Sequence, residues 1–386
     1  HKSPRPLVGG MGIVIAATFS SMLFVDLKGF RGLFLGLAVL LLVGFLDDFR
    51  ELGSRSKFLF QIVASILMMY FSKTFLLSFG DLIGFGAITV PGIDVLVWLI
   101  TIFCVVGVIN SINLMDGLDG LAGGVSFLAF LTFALHSSFA GGTVLVIINL
   151  AFAGAVLGFL RFNWHPSVVF MGDAGSLCLG FVLAFMSLYL TQGNTGVISP
   201  VIPLLVLAVP ITDTVTVMSK RLLKGRNPFQ ADHYHLHHIL MRYGMSRKAA
   251  VKVILAICMI MCSITLLVPY YNLPDYTLFL IYLLYLAGYV IASLCIIHTM
   301  KLSLRYKRSR ENREKRDWGT AISIALLNRM DLLKIFRKDT RYQVDFDLTL
   351  ETSCKAFNGK VLNISNRGFM AQVDELSELE NTIPAG

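Results

Sequence analysis

The residues best suited to chemistry in this sequence are carboxylates and amides that stand where long apolar stretches begin or end. They are Asp47, Asp48, Asn110, Asn113, Asp116, Asp119 and Asp173. Carboxylates gathered at one face repel each other unless a divalent cation or basic side chains lie among them. All-oxygen ligands suit Mg²⁺ or Mn²⁺, which take one or two carboxylates and share their other positions with water and phosphate. The pattern therefore indicates a metal-assisted site for phosphate chemistry.

Each motif also has a purely structural interpretation. Asp47 and Asp48 fit a solvated helix end as well as they fit a site. Asp116 and Asp119 share a helix face if their turn stays helical, and the glycines around them let backbone approach a ligand, but a plain capped turn is the alternative. Asp173 stands at a predicted helix start, where N-capping alone could explain it. The functional interpretation depends on all of these residues meeting at one face.

A second polar cluster consists of four histidines, His233, His235, His237 and His238. Histidines at this density suggest zinc at first sight. No cysteine is near in the sequence, however, and basic side chains dominate the surrounding segment. Contact with phosphate is therefore the favoured interpretation.

The elements that must position these clusters are apolar stretches of bilayer length. Residues 120–160 and 174–212 contain no Asp, Glu, Lys or Arg, and each stretch has a turn-like middle. Because about 20 residues cross a bilayer as a helix, each stretch predicts a helical hairpin. The same rule predicts about ten spans, at residues 11–25, 32–46, 57–72, 94–112, 121–136, 143–160, 174–191, 198–217, 250–269 and 276–299.

Composition agrees with an all-α polytopic membrane protein. Hydrophobic residues make up 55% of the 386 residues and charged residues 15%, against roughly 25% charged in soluble domains. The net charge of +9 is concentrated in alternate loops and after the last span. The positive-inside rule assigns those loops, the C-terminus and all the polar clusters to the cytoplasmic face. No basic folded face with aromatic platforms is evident, so nucleic acid is not an expected partner.

Four motifs occur in a fixed order along the chain: the pair Asp47-Asp48, the Asn- and Asp-rich run 110–124, the segment 170–176 and the segment 232–238. Together they resemble the polyprenyl-phosphate N-acetylhexosamine-1-phosphate transferases, the glycosyltransferase family 4 type. Residues 1–10 also match that family's first cytoplasmic loop. The resemblance covers about residues 1–250 in motifs and extends to about 300 in topology. It implies a further membrane helix before His1, and the absence of an initiator Met agrees with that expectation.

The resemblance implies transfer of a sugar-1-phosphate from a UDP-sugar to undecaprenyl or another polyprenyl phosphate, with release of UMP and with Mg²⁺ (or Mn²⁺) as cofactor. It implies that Asp47 or Asp48 deprotonates or positions the acceptor phosphate, and that Asp173, with Asp47, holds the metal. The residues implied to bind substrate are Lys57, Asn110, Asn113, Asp116, Asp119, His235, His237 and His238. Sequence leaves open a covalent aspartyl intermediate, and we take direct attack by the lipid phosphate as the hypothesis.

The His-x-His-His spacing after Asp232 resembles the enzymes that start O-antigen, teichoic-acid and related glycans, which favours GlcNAc-1-phosphate as the transferred group. The motifs do not specify the sugar, so another UDP-HexNAc or phospho-MurNAc-pentapeptide is the alternative within this class. A multi-pass transporter is the alternative from another class. It predicts acids near the bilayer midplane and internal repeats, whereas here the acids cluster at one face. The expected location is the bacterial inner membrane, and a homodimer is among the expected assemblies.

The composition changes after residue 300, which divides the chain into a transferase domain (1–300), a basic juxtamembrane run with an amphipathic linker helix (301–336) and a β-rich segment (337–386). From residue 342 apolar and polar residues alternate, which predicts strands. Two motifs in this segment, Arg337 with Arg341 and Asn363 with Ser365 and Gly368, resemble PilZ domains.

PilZ domains bind cyclic di-GMP through such motifs, and arginine guanidinium groups suit phosphate and guanine. The resemblance implies regulation of the transferase by this nucleotide. An ordinary Arg-rich linker into a small β-domain is the alternative. Too few strands fit before residue 386 for a whole PilZ barrel, so the domain is expected to be truncated.

Overall fold

A computed structural model describes residues 5–50, 52–91, 94–193, 196–223, 225, 235–311, 342–351, 356–365 and 368–373. Its helices are α1 Gly9–Phe24, α2 Arg31–Arg50, α3 Ser54–Ser72, α4 Asp94–Met115, α5 Leu121–Phe139, α6 Thr143–Asn163, α7 Gly172–Thr191, α8 Val201–Val206, α9 Ala208–Leu223, α10 Leu236–Arg242, α11 Arg247–Leu266, α12 Val268–Tyr271 and α13 Asp275–Glu311. A 3-10 turn, Leu27–Phe30, precedes α2. The chain divides into two compact units, the first comprising His1–Ile239 with Ala250–His298, and the second comprising Leu240–Ala249 with Thr299–Gly386.

Every predicted span overlaps one or two helices, and seven helical segments in the described part of the chain have the length and composition to cross a bilayer. They are built on α2, α4, α5, α6, α7, α11 and α13. The three other predicted spans fall short. α1 has 16 residues, α3 carries Arg55 and Lys57 near its start, and the stretch 198–217 is divided into α8 and α9 at Leu207. Seven of the ten predicted crossings are therefore supported by helix length and composition, and the other three stay a prediction.

Proline explains the break between α8 and α9. Pro210 has no N–H to donate to the carbonyl of Val206, and its ring would clash with that carbonyl in a continuous helix. The backbone N–H of Leu207 instead bonds to the carbonyl of Pro203, 2.9 Å away. The second helix of this pair, α9, begins one residue later, and its first residues are buried.

Helix α7 is the central element of the first unit and packs against α1, α2, α4 and α5. Small residues permit the close approach: a side chain on Gly44 of α2 would collide with Ala174 of α7, and a Cβ on Gly180 would lie 2.7 Å from Ile109 Cα on α4. Small residues at helix contacts are typical of membrane proteins, where backbones must approach closely to gain packing energy. The start of α7 is therefore held between the ends of α2 and α4.

The segment before α1 pairs with the segment before α7. The N–H groups of Gly9 and Gly10 donate to the carbonyls of Phe170 and Met171 at 3.1 and 2.9 Å, and the N–H of Phe170 donates to the Pro6 carbonyl at 3.0 Å. Two chain segments that are far apart in sequence thus form a short ladder directly before Asp173.

In the second unit, β1 Tyr342–Glu351, β2 Ala356–Ser365 and β3 Gly368–Val373 form an antiparallel sheet in the order β1-β2-β3. The first strand coincides with the alternating pattern noted in the sequence. Helix α13 runs through residue 300 without interruption and ends at Glu311. Arg337, Arg341 and the predicted linker helix lie outside the described residues, so the assignment to a PilZ domain stays a prediction.

Candidate functional site

One ammonium group joins two of the predicted site carboxylates. Lys57 Nζ lies 2.6 Å from Asp47 Oδ2 and 2.5 Å from Asp173 Oδ2. Asp47 lies in the last turn of α2, Lys57 in the first turn of α3 and Asp173 in the first turn of α7. The turn between α2 and α3 is closed by Asp47 Oδ1, which accepts a hydrogen bond of 2.6 Å from the N–H of Leu52. The end of α2 and the start of α3 therefore present their polar groups together to α7.

Asp48 caps the N-terminus of α7, although it belongs to α2. Its Oδ1 accepts a 2.9 Å hydrogen bond from the backbone N–H of Asp173. Gly172 is required beside it, because its φ is +72° and a Cβ there would lie 2.6 Å from Asp48 Oδ2. The free N–H groups of a helix start favour a carboxylate at this position. N-capping thus describes Asp48 and does not explain Asp173, whose own side chain faces Lys57.

Asn113 ties the end of α4 to the start of α7. Its Nδ2 donates to Asp173 Oδ1 at 3.2 Å and to Ser176 Oγ at 2.8 Å. Asn110 lies one helical turn earlier, and its Nδ2 donates to Gln61 Oε1 at 2.7 Å. The structure therefore brings Asn113 into the carboxylate cluster, whereas the amide of Asn110 is engaged in a contact between α4 and α3.

The segment that carries Asp116 and Asp119 is a turn and not a continuation of α4. The helix ends at Met115, and Gly120 has a φ of +81°. The condition under which the two aspartates would share a helix face is therefore not met, because residues 116–120 form a turn. Asp119 turns towards His165, whose Nδ1 lies 2.8 Å from Asp119 Oδ2.

The two aspartates of this turn have opposite electrostatic environments. Burial opposes the ionisation of Asp119, but hydrogen bonds from Ser167 and His165 outweigh it and lower the pKa of Asp119. Burial, followed by the charges of Asp173, Asp119 and Asp48, raises the pKa of Asp116 to about 8. Asp116 thus lies where negative charge is already in excess, which is where a cation would be stabilised most.

His237 packs against this turn. It is 2% exposed, neither ring nitrogen has a hydrogen-bond partner, and a Cβ on Gly117 would lie 2.5 Å from its Nε2. Burial and the neighbouring His238, whose ring centroid is 4.2 Å away, lower the pKa of His237 to about 4. A neutral imidazole at this place offers a hydrogen bond to a ligand without adding charge. His233 lies outside the described residues.

His235 is held by a carboxylate that the sequence analysis did not single out. Its Nδ1 lies 2.9 Å from Asp213 Oδ2, and the N–H of Leu236 donates to Asp213 Oδ1 at 2.8 Å. The signal for Asp213 was present, because an ionisable residue inside a predicted membrane span is a functional candidate by default.

Two further polar side chains support the turn with Asp116 and Asp119. Arg5 Nη1 donates to Ser167 Oγ at 2.6 Å, and Asn163 Oδ1 accepts from the N–H of Gly120 at 2.8 Å. Asn163 follows the sixth predicted span and Arg5 lies in the segment 1–10, but only the fold reveals that they support this turn.

The oxygen ligands of this site suit a hard divalent cation that is bound together with phosphate. Within the described residues, no three His, Cys, Asp or Glu side chains converge as a ready-made metal cage. Mg²⁺ in phosphate sites does not need one, since it commonly takes one or two carboxylates and completes its shell with water and phosphate oxygens. Asp173 and Asp116 supply carboxylate oxygens where the local charge favours a cation. The residues present therefore suit Mg²⁺ bound together with a phosphate ligand.

Comparison with known proteins gives a consistent result. Residues 30–191 match the model of the family described as Glycosyl transferase family 4. The chain is 32% identical over 328 residues to the undecaprenyl-phosphate alpha-N-acetylglucosaminyl 1-phosphate transferase of Escherichia coli K12. The match covers 83% of this chain and 87% of that protein.

Two further relatives have closely related descriptions. The probable undecaprenyl-phosphate N-acetylglucosaminyl 1-phosphate transferase of Bacillus subtilis is 33% identical over 303 residues, with 76% of this chain and 81% of that protein covered. The Haemophilus influenzae relative is 29% identical over 322 residues, with 82% and 89% covered. The matched region includes the ends of α2, α4 and α7 that carry the carboxylate cluster. The chain belongs to glycosyl transferase family 4, as a multi-pass membrane enzyme of the glycosyl-1-phosphate transferase type.

Proposed function

We propose that this protein transfers N-acetylglucosamine-1-phosphate from UDP-GlcNAc to undecaprenyl phosphate, releases UMP and so begins the synthesis of a cell-envelope glycan. The relatives named above carry this activity in their descriptions. The observation that carries the proposal is the joining of Asp47 and Asp173 by Lys57, beside Asn113. This arrangement combines a cation for an incoming phosphate with carboxylates that suit Mg²⁺.

In the proposed reaction, an oxygen of the lipid phosphate attacks the sugar-bearing phosphorus of the nucleotide sugar. A new P–O bond forms to that oxygen, the P–O bond of the diphosphate breaks, and its electron pair leaves with UMP. A phosphate monoester has a second pKa of about 6, so it is mostly a dianion at neutral pH. The lipid phosphate therefore needs a positioning group more than it needs a base, and the Lys57 ammonium can be that group.

The carboxylates have separate tasks in this scheme. Asp47 holds Lys57 in place until a phosphate competes for the ammonium, and Asp48 holds the start of α7 by its bond to the N–H of Asp173. Asp173 and Asp116 are the residues that would hold Mg²⁺. Bound Mg²⁺ would neutralise charge that builds up on the phosphates during transfer. The face of the membrane to which this site opens is proposed to be cytoplasmic, from the distribution of basic loops.

The direct test is UMP release in membranes that contain the protein, with undecaprenyl phosphate, Mg²⁺ and a panel of UDP-sugars. We expect release with UDP-GlcNAc and none when undecaprenyl phosphate is omitted. Release with a different UDP-HexNAc alone would reassign the sugar, and no release with any sugar would refute the function. Isolation of a phospho-aspartyl enzyme after incubation with UDP-GlcNAc alone would refute direct attack.

We propose in addition that the C-terminal segment binds cyclic di-GMP. The supporting observation is backbone register: Ser365 pairs with Gly368 where β2 meets β3, and Asn363 lies two residues before Ser365 on β2. The strands thus bring the three positions of the short motif to one hairpin. A homodimer stays among the expected assemblies, to be tested by the mass of the purified protein in detergent.

A further inference from the structure

Asp213 is a buried carboxylate in α9 that accepts three hydrogen bonds. It is 1% exposed, and Tyr289 Oη of α13 donates to its Oδ1 at 2.6 Å, beside the contacts from the N–H of Leu236 and from His235 Nδ1. Burying a carboxylate is costly unless such partners satisfy it. Helix packing alone does not explain this desolvation cost, because an apolar residue would pack α9 against α13 without it.

The partners of Asp213 fix the orientation of His235. A carboxylate accepts and does not donate, so the ring must present a proton on Nδ1, and the bond to the N–H of Leu236 prevents the adjacent backbone from turning. The hydrogen bond on one ring nitrogen determines the state and direction of the other. His235 Nε2 is therefore the atom left for a ligand, in a fixed position.

His235 packs against His237, which contacts the turn that carries Asp116 and Asp119. The rings of His235 and His237 are nearly parallel, at 7°, with centroids 5.9 Å apart. His237 in turn contacts Gly117 and has two buried ring nitrogens without hydrogen-bond partners. An unpartnered buried polar group costs free energy unless a ligand completes it. The buried nitrogens of His237, next to the turn that carries Asp116, thus point to a ligand that would complete them.

We propose that Asp213 is a positioning residue for the nucleotide-sugar substrate. It holds His235, and through it His237, so that imidazole N–H groups or nitrogens meet the diphosphate of the donor. The proposal rests on the transferase function proposed above. Asp213 acts through His235, so it touches no substrate itself.

A double-mutant cycle separates this role from a role in folding. We expect Asp213→Asn to raise the KM for UDP-GlcNAc, or to weaken UMP binding measured by calorimetry, by about 10-fold, with a smaller change in kcat. In a His235→Ala background the same substitution should have no further effect on either quantity, because its target is already absent. Tyr289→Phe keeps the contact between Asp213 and His235 and should give a weaker effect in the same direction.

The matched control is Asp275→Asn, which removes a carboxylate that accepts from the N–H of Asp81 in the loop between α3 and α4. It should leave KM and UMP affinity unchanged. Equal losses from Asp213→Asn with and without His235 would overturn the proposal, as would loss of folded protein with an unchanged KM. If Asp213→Asn does not fold, Tyr289→Phe with and without His235→Ala gives the same comparison. UMP binding reports on the positioning role even if no tested sugar is transferred, so the two proposals can fail separately.

Discussion

Lys57 Nζ lies 2.5 Å from Asp173 Oδ2, and this ion pair joins α3 to α7 across 116 positions of sequence. The same ammonium contacts Asp47, and in the proposed reaction Lys57 and Mg²⁺ would compete for Asp173. A phosphate that accepts from Lys57 would release Asp173 from this pair. In the proposed reaction, arrival of the acceptor phosphate at Lys57 would therefore make Asp173 available to the metal.

Replacing Lys57 tests this coupling. We expect Lys57→Met to lower UMP release by about 100-fold, since the loss of one charge-stabilising group at a reacting phosphate is of that order. Without Lys57, Asp47 and Asp173 repel each other, so the increase in melting temperature on adding Mg²⁺ should be larger than in the unchanged protein. A radiolabel assay and thermal unfolding with EDTA or Mg²⁺ measure the two effects.

Lys28→Met is the matched control for Lys57, because Lys28 pairs with Asp26 in the exposed turn before α2. It should change neither UMP release nor the response to Mg²⁺. An active Lys57→Met variant, or one whose response to Mg²⁺ is unchanged, would contradict competition between Lys57 and the metal.

Two substitutions of Asp48 should separate its contribution to stability from its contribution to the reaction. Asp48→Ala removes the acceptor of the Asp173 N–H and should lower the free energy of unfolding by about 1 kcal/mol, as the loss of a helix cap does. Asp48→Asn keeps a carbonyl oxygen at that place and should retain most of this stability. Thermal unfolding of both variants measures the difference, and Asp94→Asn, at the start of α4, is the control.

UMP release then distinguishes the two contributions of Asp48. If its charge acts on the substrate, Asp48→Asn is folded and inactive. An Asp48→Asn variant with full activity would limit Asp48 to the capping of α7.

The sequence predicts the helices of this fold well because bilayer length and the absence of charge are local properties. It also predicts that Asp47, Asp173 and Asn113 belong together, since each stands at the end of an apolar stretch. It does not predict that Asp48 caps a different helix, or that Lys57 bridges two carboxylates. Those facts depend on which helices pack together, and one sequence carries no such information.

The same limit applies to the turn after α4. Three-residue spacing places the two aspartates on one face only if the helix continues, and here α4 ends at Met115 and Asp119 contacts His165. Asp213 was overlooked for a different reason. It stands alone in its stretch of sequence, and its partners His235 and Tyr289 are 22 and 76 positions away.

Gly172 is predicted to be irreplaceable. Gly172→Ala introduces a Cβ at a φ of +72°, within 2.6 Å of Asp48 Oδ2, so it should displace the cap and cost about 1–3 kcal/mol of stability. UMP release should fall with it, because Asp173 is the next residue. Gly154→Ala in α6 is the control, since its Cβ would have no neighbour within 4 Å. Equal behaviour of the two variants in thermal unfolding would contradict the need for glycine at this position.

The proposed nucleotide site in the C-terminal segment predicts binding of cyclic di-GMP to the full-length protein. Arg337→Ala and Arg341→Ala should each abolish it, because a guanidinium fork is the group that grips phosphate there. Lys307→Ala, in the basic part of α13, is the control and should leave binding unchanged. Calorimetry with cyclic di-GMP measures the affinity, and unchanged binding in both arginine variants would refute the site.

Asp116 predicts how the metal-free protein responds to pH. Its pKa is raised from an ordinary 3.8 to about 8, so between these values the folded protein holds a proton that the unfolded chain has lost. The resulting stability is complete below the ordinary pKa and is lost as the pH rises through about 8. In EDTA, the free energy of unfolding should therefore fall between pH 6 and pH 9, by up to about 1.4 kcal/mol per pH unit below the raised pKa, and the melting temperature should fall with it. Asp116→Asn resembles the protonated acid and should flatten this decline.

Asp119→Asn is the matched control, because the pKa of Asp119 is shifted in the opposite direction. Its stabilising contribution is present above the ordinary pKa and is lost only as the pH falls through the lowered value. Asp119→Asn should therefore reduce the melting temperature by a similar amount at pH 6 and pH 9. Added Mg²⁺ should flatten the decline in the unchanged protein, since a cation beside Asp116 favours its ionised form. A decline that persists in Asp116→Asn would show that another group is responsible, and the excess negative charge around Asp116 would lose its experimental support.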